Sequence, residues 1–277
     1  MNAEERCLIA IDLDDTVLGD LFSLDAKSVW SLMNARDAGH IVMIATARPS
    51  CITLPYYRIL GMNTLMSVMC GAYMYHPDDP SVPVIRQTID APTVGELNDL
   101  FQQLGMQHTW LEADDELYSM DGVYPDHPYW RLLFQNSNVH LMNPLPAVEC
   151  GRIYTQTMSD DAAQQVKDFC TAKGTLRVTV FKDSAGIIHL HIWSVSSDKW
   201  YSVQDAARYY GIKPENIITY GDQGIDRLMV TQCENGHVLC NGEPSLIKEM
   251  RSLGRGVTEY PCGQGGVGHV LDHLLGL

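Results

Sequence analysis

Basic residues are scarce in this chain. Its 277 residues hold 19 Lys and Arg against 34 Asp and Glu, a formal net charge of −15. Nucleic acids and anionic bilayers are gripped by clustered Lys and Arg, so so acidic a composition argues against both as partners. A small anionic substrate needs only a local cationic site and stays open. No apolar run approaches the ~20 residues of a membrane-crossing helix. The opening MNAEERCLIAI has no long apolar stretch followed by a small-residue cleavage site, so no secretory signal is expected. No two of the eight cysteines, at 7, 51, 70, 150, 170, 233, 240 and 262, form a C-x-x-C pair. They read as reduced, buried thiols of a cytoplasmic protein rather than as a disulfide or zinc framework. Internal repeats and low-complexity tracts are absent too. What is present is 45% hydrophobic residues, enough for a sizeable core in a globular protein.

The stretch LIAIDLDDTVLGD, Leu8 to Asp20, puts Asp12, Asp14 and Asp15 directly after an apolar run. Like charges this close raise at least one pKa unless a cation lies between them. The cluster is costly as scaffolding and makes sense as a metal or catalytic site. Around it the chain alternates short β-rich runs with amphipathic helices. CLIAI (7–11) leads to a helix in DAKSVWSLMNARDAG, with Ala26, Val29, Leu32 and Met33 on one face and Gly39 past its end, and then to HIVMIA (40–45). NIITY (216–220) and HVLC (237–240) are further buried strands, the second followed by the helix SLIKEMRSLG. This order indicates a parallel sheet.

The middle reads as α+β. PVIRQTI and GRIYTQT look like strands, and HTWLEADDELYSM like two strands around an acidic turn. TVGELNDLFQQLG opens with Thr93 and Glu96 as a capping box, SDDAAQQVKDFCTAKG is a capped helix, and LRVTVFKDSAGIIHLHI is a hairpin over Asp183–Gly186. Boundaries are expected near YHPDDPSVP (75–83) and Val195.

In open α/β sheets, ligands sit outside the carboxyl ends of the strands. Asp12 and Asp14 lie just past the first strand and Thr46 past the second. GDQGID places Asp222 and Asp226 past NIITY, and Lys199 precedes a helix read as capped by Ser202 and Asp205. Each is weak alone; the ordered set D-x-D-x-T, T, K, G-D-x-x-x-D is much stronger.

This set closely resembles the haloacid dehalogenase superfamily of phosphohydrolases, in its Cof-type branch with a large cap inserted between the second and third motifs. DLDDTVL is the first motif, IATARP the second, Lys199 the third and GDQGIDRLMV the fourth. CGAYMY, and VLCNGEPSLIKEM followed by GVGHVLDHLL, also look like this branch. Asp15 stands where Gly is common, and Ile225 where many relatives have Asn. The resemblance implies an α/β fold: a Rossmann-like parallel-sheet core of residues 1–80 and 192–277, and an inserted α+β cap of residues 81–191 that selects substrate. It implies that Asp12 attacks phosphorus to give an aspartyl-phosphate. Asp14 would protonate the leaving oxygen and then deprotonate water. Mg²⁺ would be held by Asp12, the Asp14 carbonyl and Asp222, with Asp226 in support. Thr46 and Lys199 would bind the other phosphoryl oxygens.

Several residues have plainer readings. Arg48 is a substrate-binding candidate beside Thr46, or one half of a structural salt bridge. Asn241 is a second such candidate, or a turn residue. His189 and His191 share a strand face, where packing is favoured over zinc. YPDHPYW (124–130) is aromatic and turn-rich, and fits either hairpin packing or substrate contact. The expected function is a Mg²⁺-dependent phosphatase acting on small phosphorylated metabolites, sugar phosphates or similar. A phosphomutase or phosphotransferase on the same scaffold is the second reading, and a catalytically silent, metal-dependent binding protein the third.

Overall fold

Four consecutive apolar residues, Leu8–Ile11, form the first strand, β1, with every side chain buried; such a run suits a strand covered on both faces. The structure, a computed structural model, describes residues 5–20 and 22–276. After β1 come α1 (Ala26–Asp37), β2 (Ile41–Ile44), α2 (Ser50–Ile59), β3 (Met66–Val68), β4 (Tyr73–Tyr75) and β5 (Ile85–Arg86). Next are α3 (Ala91–Leu104), β6 (Gln107–Ala113), β7 (Glu116–Ser119), α4 (Pro128–Asn136), β8 (Asn138–Leu141), β9 (Arg152–Thr157), α5 (Asp160–Lys173), β10 (Leu176–Lys182) and β11 (Ile188–Ser194). The chain closes with α6 (Lys199–Tyr210), β12 (Ile217–Gly221), α7 (Arg227–Gln232), β13 (Asn235–Val238), α8 (Pro244–Ser252), β14 (Gly256–Val257) and α9 (Gly266–Leu275). Two compact units result. One comprises the chain up to Arg48, Thr53–Ile85 and everything from Asp198 onward; the other comprises Pro49–Ile52 and Arg86–Ser197.

The first unit is built on a parallel sheet of order β14-β13-β12-β1-β2. Side chains alternate between its faces. Ile9, Ile11, Val42, Ile44 and Tyr220 join one core cluster, which includes Leu32 of α1 and Leu271 of α9. Leu8, Ala10, Ile41 and Met43 join another, with Val203 of α6 and Met229 of α7. The strand order reverses between β1 and β12, the switch point at which open α/β sheets bind ligands. Helix α1 buries Ser28, Ser31, Leu32 and Ala35 rather than the expected Ala26, Val29, Leu32, Met33 face. Small side chains face inward because α9 runs close: Gly268 donates its N–H to Ser28 Oγ at 3.3 Å, and a Cβ there would meet the Lys27 carbonyl oxygen at 2.8 Å.

The second unit is a six-stranded sheet, β10-β11-β9-β6-β7-β8, antiparallel except where β7 and β8 run parallel. Helices α3 and α5 bury Val94, Leu97, Phe101, Val166 and Cys170 with Leu111, Ile153, Leu190 and Ile192 of the sheet. Trp110, Leu117, Leu133 and Tyr154 form a smaller core together with α4. The hairpin over Asp183–Gly186 forms as expected, between β10 and β11.

Three local expectations are corrected. PVIRQTI contributes only the two residues of β5 and an isolated bridge from Ile89 to Cys150. Asp90, not Thr93, caps α3, accepting the Thr93 N–H at 2.8 Å; a carboxylate three residues earlier caps better than a threonine already inside the first turn. YPDHPYW opens α4, which His127 caps with Pro128 at its first position, where proline costs no hydrogen bond, and its Trp130 packs edge-on to Trp110 of the β6–β7 hairpin. Helix α6 is capped by Asp198 rather than by Ser202 and Asp205, which makes Lys199 its first residue. All eight cysteines are free thiols. Among the described residues no helix is long and apolar enough to cross a membrane.

Candidate active site

Asp12 is the first residue beyond β1, and its N–H donates to the Tyr220 carbonyl at 3.0 Å. The chain then turns tightly, the Leu13 carbonyl accepting the N–H groups of Thr16, Val17 and Leu18 at 3.3, 3.0 and 2.8 Å. Asp15 sits in that turn with φ 52°, a left-handed conformation that Asp enters more readily than most non-glycine residues. Its carbonyl accepts the Asn241 Nδ2–H at 2.9 Å, and Asn241 Oδ1 accepts the Cys262 N–H at 2.7 Å. The amide of Asn241 therefore ties two loops together, the turn role considered for it. Thr16, the last letter of D-x-D-x-T, donates Oγ1–H to Asp222 Oδ1 at 3.3 Å. The motif signalled that residue, but not its partner.

Asp222 follows β12, and Asp226 closes the single turn Gly224–Asp226. Asp226 Oδ2 accepts the N–H groups of Asp222 and Gln223 at 3.1 and 3.0 Å, which fastens the loop in place. Its Oδ1 accepts from Lys199 Nζ at 2.6 Å, and Asp12 Oδ1 accepts from the same Nζ at 2.7 Å. Ile225 is 37% exposed, so its apolar side chain stays out of this buried set.

Lys199 is seated by a turn, Met69–Gly71, to which the sequence assigned no role. Met69, Cys70 and Gly71 take φ values of 51°, 55° and 86° in succession, and the Cys70 N–H donates to the Thr46 carbonyl at 2.9 Å. A Cβ on Gly71 would lie 2.4 Å from the Asp198 carbonyl oxygen, so only glycine lets this turn abut the start of α6. Ser67 Oγ donates to Ser202 Oγ at 2.7 Å, and Ser202 Oγ donates to the Lys199 carbonyl at 2.8 Å. Thr46 is fully buried; its Oγ1 accepts the Arg48 N–H at 3.2 Å. Arg48, equally buried, forks onto Asp14, with Nε 2.9 Å from Oδ2 and a terminal nitrogen 2.5 Å from Oδ1.

Three carboxylates and one ammonium leave this pocket of charge two negative charges in excess when all are ionised. Burial pushes Asp12 up to about 7, against the pull of Lys199 and with help from Asp226 and Asp14. Burial, then Asp12 and Asp226, pushes Asp222 up to about 8. Burial disfavours the Lys199 ammonium, but Asp12 and Asp226 outweigh it and raise its pKa. Asp222 Oδ2 is buried and has no hydrogen-bond partner among the described residues. One oxygen from each of Asp12, Asp222 and Asp226 falls within 4.8 Å of the others. A compact, all-oxygen, over-negative cluster with an orphaned carboxylate oxygen fits a hard divalent cation. His189 and His191 belong to no comparable cluster among the described residues. His189 instead bonds the Tyr154 hydroxyl at 2.6 Å and Asp183 at 3.1 Å.

The family model described as haloacid dehalogenase-like hydrolase matches residues 9–271. The chain belongs to that family, and it is a hydrolase of the phosphatase type. A Metamycoplasma hominis protein from the upp 3′ region is 27% identical over 98% of this chain and 97% of its own length. The 5-amino-6-(5-phospho-D-ribitylamino)uracil phosphatase YitU of Bacillus subtilis is 23% identical over 85% of this chain and 87% of its own. A haloacid dehalogenase-like hydrolase from Bacteroides thetaiotaomicron shares the fold, with a TM-score of 0.76 at 16% identity, covering 98% of this chain and 100% of that one.

Proposed function

We propose that this protein is a Mg²⁺-dependent phosphatase that hydrolyses small phosphomonoesters, sugar phosphates or related metabolites, through an aspartyl-phosphate on Asp12. The observation that carries this reading is the Asp12 carboxylate at the end of β1, bonded to Lys199 and flanked by Asp222 and Asp226. Asp12 attacks phosphorus while Thr46 and Lys199 hold the non-bridging oxygens, and the ammonium offsets charge as it builds on them. Asp14, once released from the Arg48 fork and protonated, gives its proton to the leaving oxygen and then takes one from the water that releases phosphate. Bound Mg²⁺, held by Asp12, the Asp14 carbonyl and Asp222 with Asp226 in support, would supply the positive charge that lets an anionic nucleophile meet an anionic ester.

The relative named for a phosphorylated ribitylaminouracil supports a compact metabolite as substrate. The second unit, near the 81–191 region expected as a cap, serves as the substrate-selecting domain. Free thiols suit a reducing compartment, and we place the enzyme in the cytoplasm. The net charge of −15 speaks against nucleic acid as substrate.

The deciding experiment is Asp12→Asn assayed for phosphate release across a panel of phosphorylated metabolites. Loss of turnover by about a thousandfold or more is expected, because an amide is no nucleophile. Turnover close to wild type in the folded variant would overturn the assignment. EDTA should abolish activity, and added Mg²⁺ should restore it.

A further inference from the structure

Three histidines that phosphoryl chemistry leaves unused line one pocket of the first unit. The pocket has a volume of about 290 Å³ and is framed by β13, β14 and α9. Its polar side chains are His237 of β13, Glu259 and Tyr260 after β14, and His269 and His273 of α9. The rest of the lining is apolar or glycine, with no lysine or arginine.

His237 is half-buried and packs on Gly256, where a Cβ would lie 2.6 Å from its Nε2. Its Nδ1 lies 3.0 Å from the Asn235 carbonyl oxygen. A carbonyl only accepts, so Nδ1 carries the proton and Nε2 presents its lone pair. Burial lowers the pKa of this ring, which favours the neutral imidazole. This is the form of a metal-bound histidine, whose other nitrogen donates to a carbonyl or a carboxylate. His269 and His273 are exposed and lie one turn apart in HVLDH. At i and i+4 they share a helix face, and side chains lean toward the N-terminus, so the second ring covers the turn of the first. His269 rests against the Tyr260 ring, with centroids 4.5 Å apart. Neither of these imidazoles, nor the Glu259 carboxylate, has a hydrogen-bond partner among the described residues.

We propose that this pocket is a second metal site, for a borderline divalent cation of the zinc class, held by His269 and His273 and completed by Nε2 of His237. Imidazole nitrogen suits Zn²⁺, Ni²⁺ and Cu²⁺, whereas the oxygen cluster at Asp12 suits a harder ion. Two histidines four apart on one helix face is the spacing with which helices chelate zinc. Among the described residues only the Asp12 cluster has three ligand atoms within 4.8 Å of one another. The exposed pair therefore turns to close on the ion, while His237 is held by its carbonyl bond and by Gly256. Glu259, with no basic residue in the lining, favours a cation over an anion. An ion held by all three rings ties β13 to α9 and adds to the stability of the folded chain.

The test titrates Zn²⁺ by calorimetry into the full chain with Mg²⁺ saturating. His269→Gln and His273→Gln replace exposed residues and should fold, which an unchanged Tm without zinc checks. Each should weaken zinc binding about tenfold or more, and zinc should raise the Tm of either variant less than that of the wild type. X-ray absorption of the zinc-loaded wild-type chain should show imidazole nitrogens around the metal. Zinc affinity or a zinc-induced gain in Tm that is equal in the wild type and both folded variants overturns the proposal. So does a metal shell of oxygen or sulfur alone, or a wild-type Kd for zinc weaker than about 1 mM.

Discussion

At Asp12 and Asp222 burial works against ionisation, and the sign of the effect on stability follows. Their pKa values, about 7 and about 8, stand above the ~3.9 of an unfolded Asp. Without metal the native state therefore holds more protons than the unfolded state between about pH 4 and pH 8, and its stability falls as pH rises through that window. On the proposed reading, Mg²⁺ would need the deprotonated carboxylates and displace those protons, so its binding would tighten with pH. The gain in Tm on saturation with Mg²⁺ should thus be several degrees larger at about pH 8 than at about pH 5.5. Thermal melts with Mg²⁺ and with EDTA at the two pH values check this. An equal gain at both would show that the cluster does not hold the ion through carboxylates that are protonated when metal-free.

At the scale of elements, the start of α6 is the delicate joint. Asp198 caps the helix by accepting the Trp200 N–H at 2.8 Å, and the adjoining turn crosses it at Gly71, where φ is 86° and a Cβ would lie 2.4 Å from the Asp198 carbonyl oxygen. Both the backbone conformation and the contact reject a side chain. Gly71→Ala should cost about 1–3 kcal/mol of stability, and by moving Lys199 it should lower kcat more than it raises KM. Melting curves and steady-state kinetics on one preparation test this; wild-type values of both would mean that the turn yields freely and does not seat the lysine.

For the whole molecule, the two units hold separate cores, and each has its own electrostatic keystone. In the second unit Glu112 is buried, forked by Arg152 and also bonded to Trp110 Nε1 at 3.0 Å. Glu112→Ala strands a buried guanidinium and an indole N–H, a loss of roughly 3–5 kcal/mol. Calorimetry should then show a lowered transition for that unit, while Mg²⁺ raises the transition of the unit holding Asp12. If both perturbations move a single shared transition, the two units unfold as one.

By itself the sequence determined the parallel core, the α+β character of the middle segment and the candidates Asp12, Asp222, Asp226 and Lys199 that the fold brings together. Each is written locally: apolar runs broken by short polar loops, with the chemistry in the first residues past a strand. Tertiary structure alone decided the rest. Serines line the inner face of α1 because a helix some 240 residues later packs close. Lys199 meets Asp12 across 187 residues, and Thr16 meets Asp222 across 206. Arg48 is engaged by Asp14, and Asn241 by two loops, through contacts that no spacing rule encodes. The orphaned oxygen of Asp222 was equally invisible. Whether a polar atom finds a partner depends on the three-dimensional surroundings that burial assembles, and periodicity along the chain records only which side of an element faces inward.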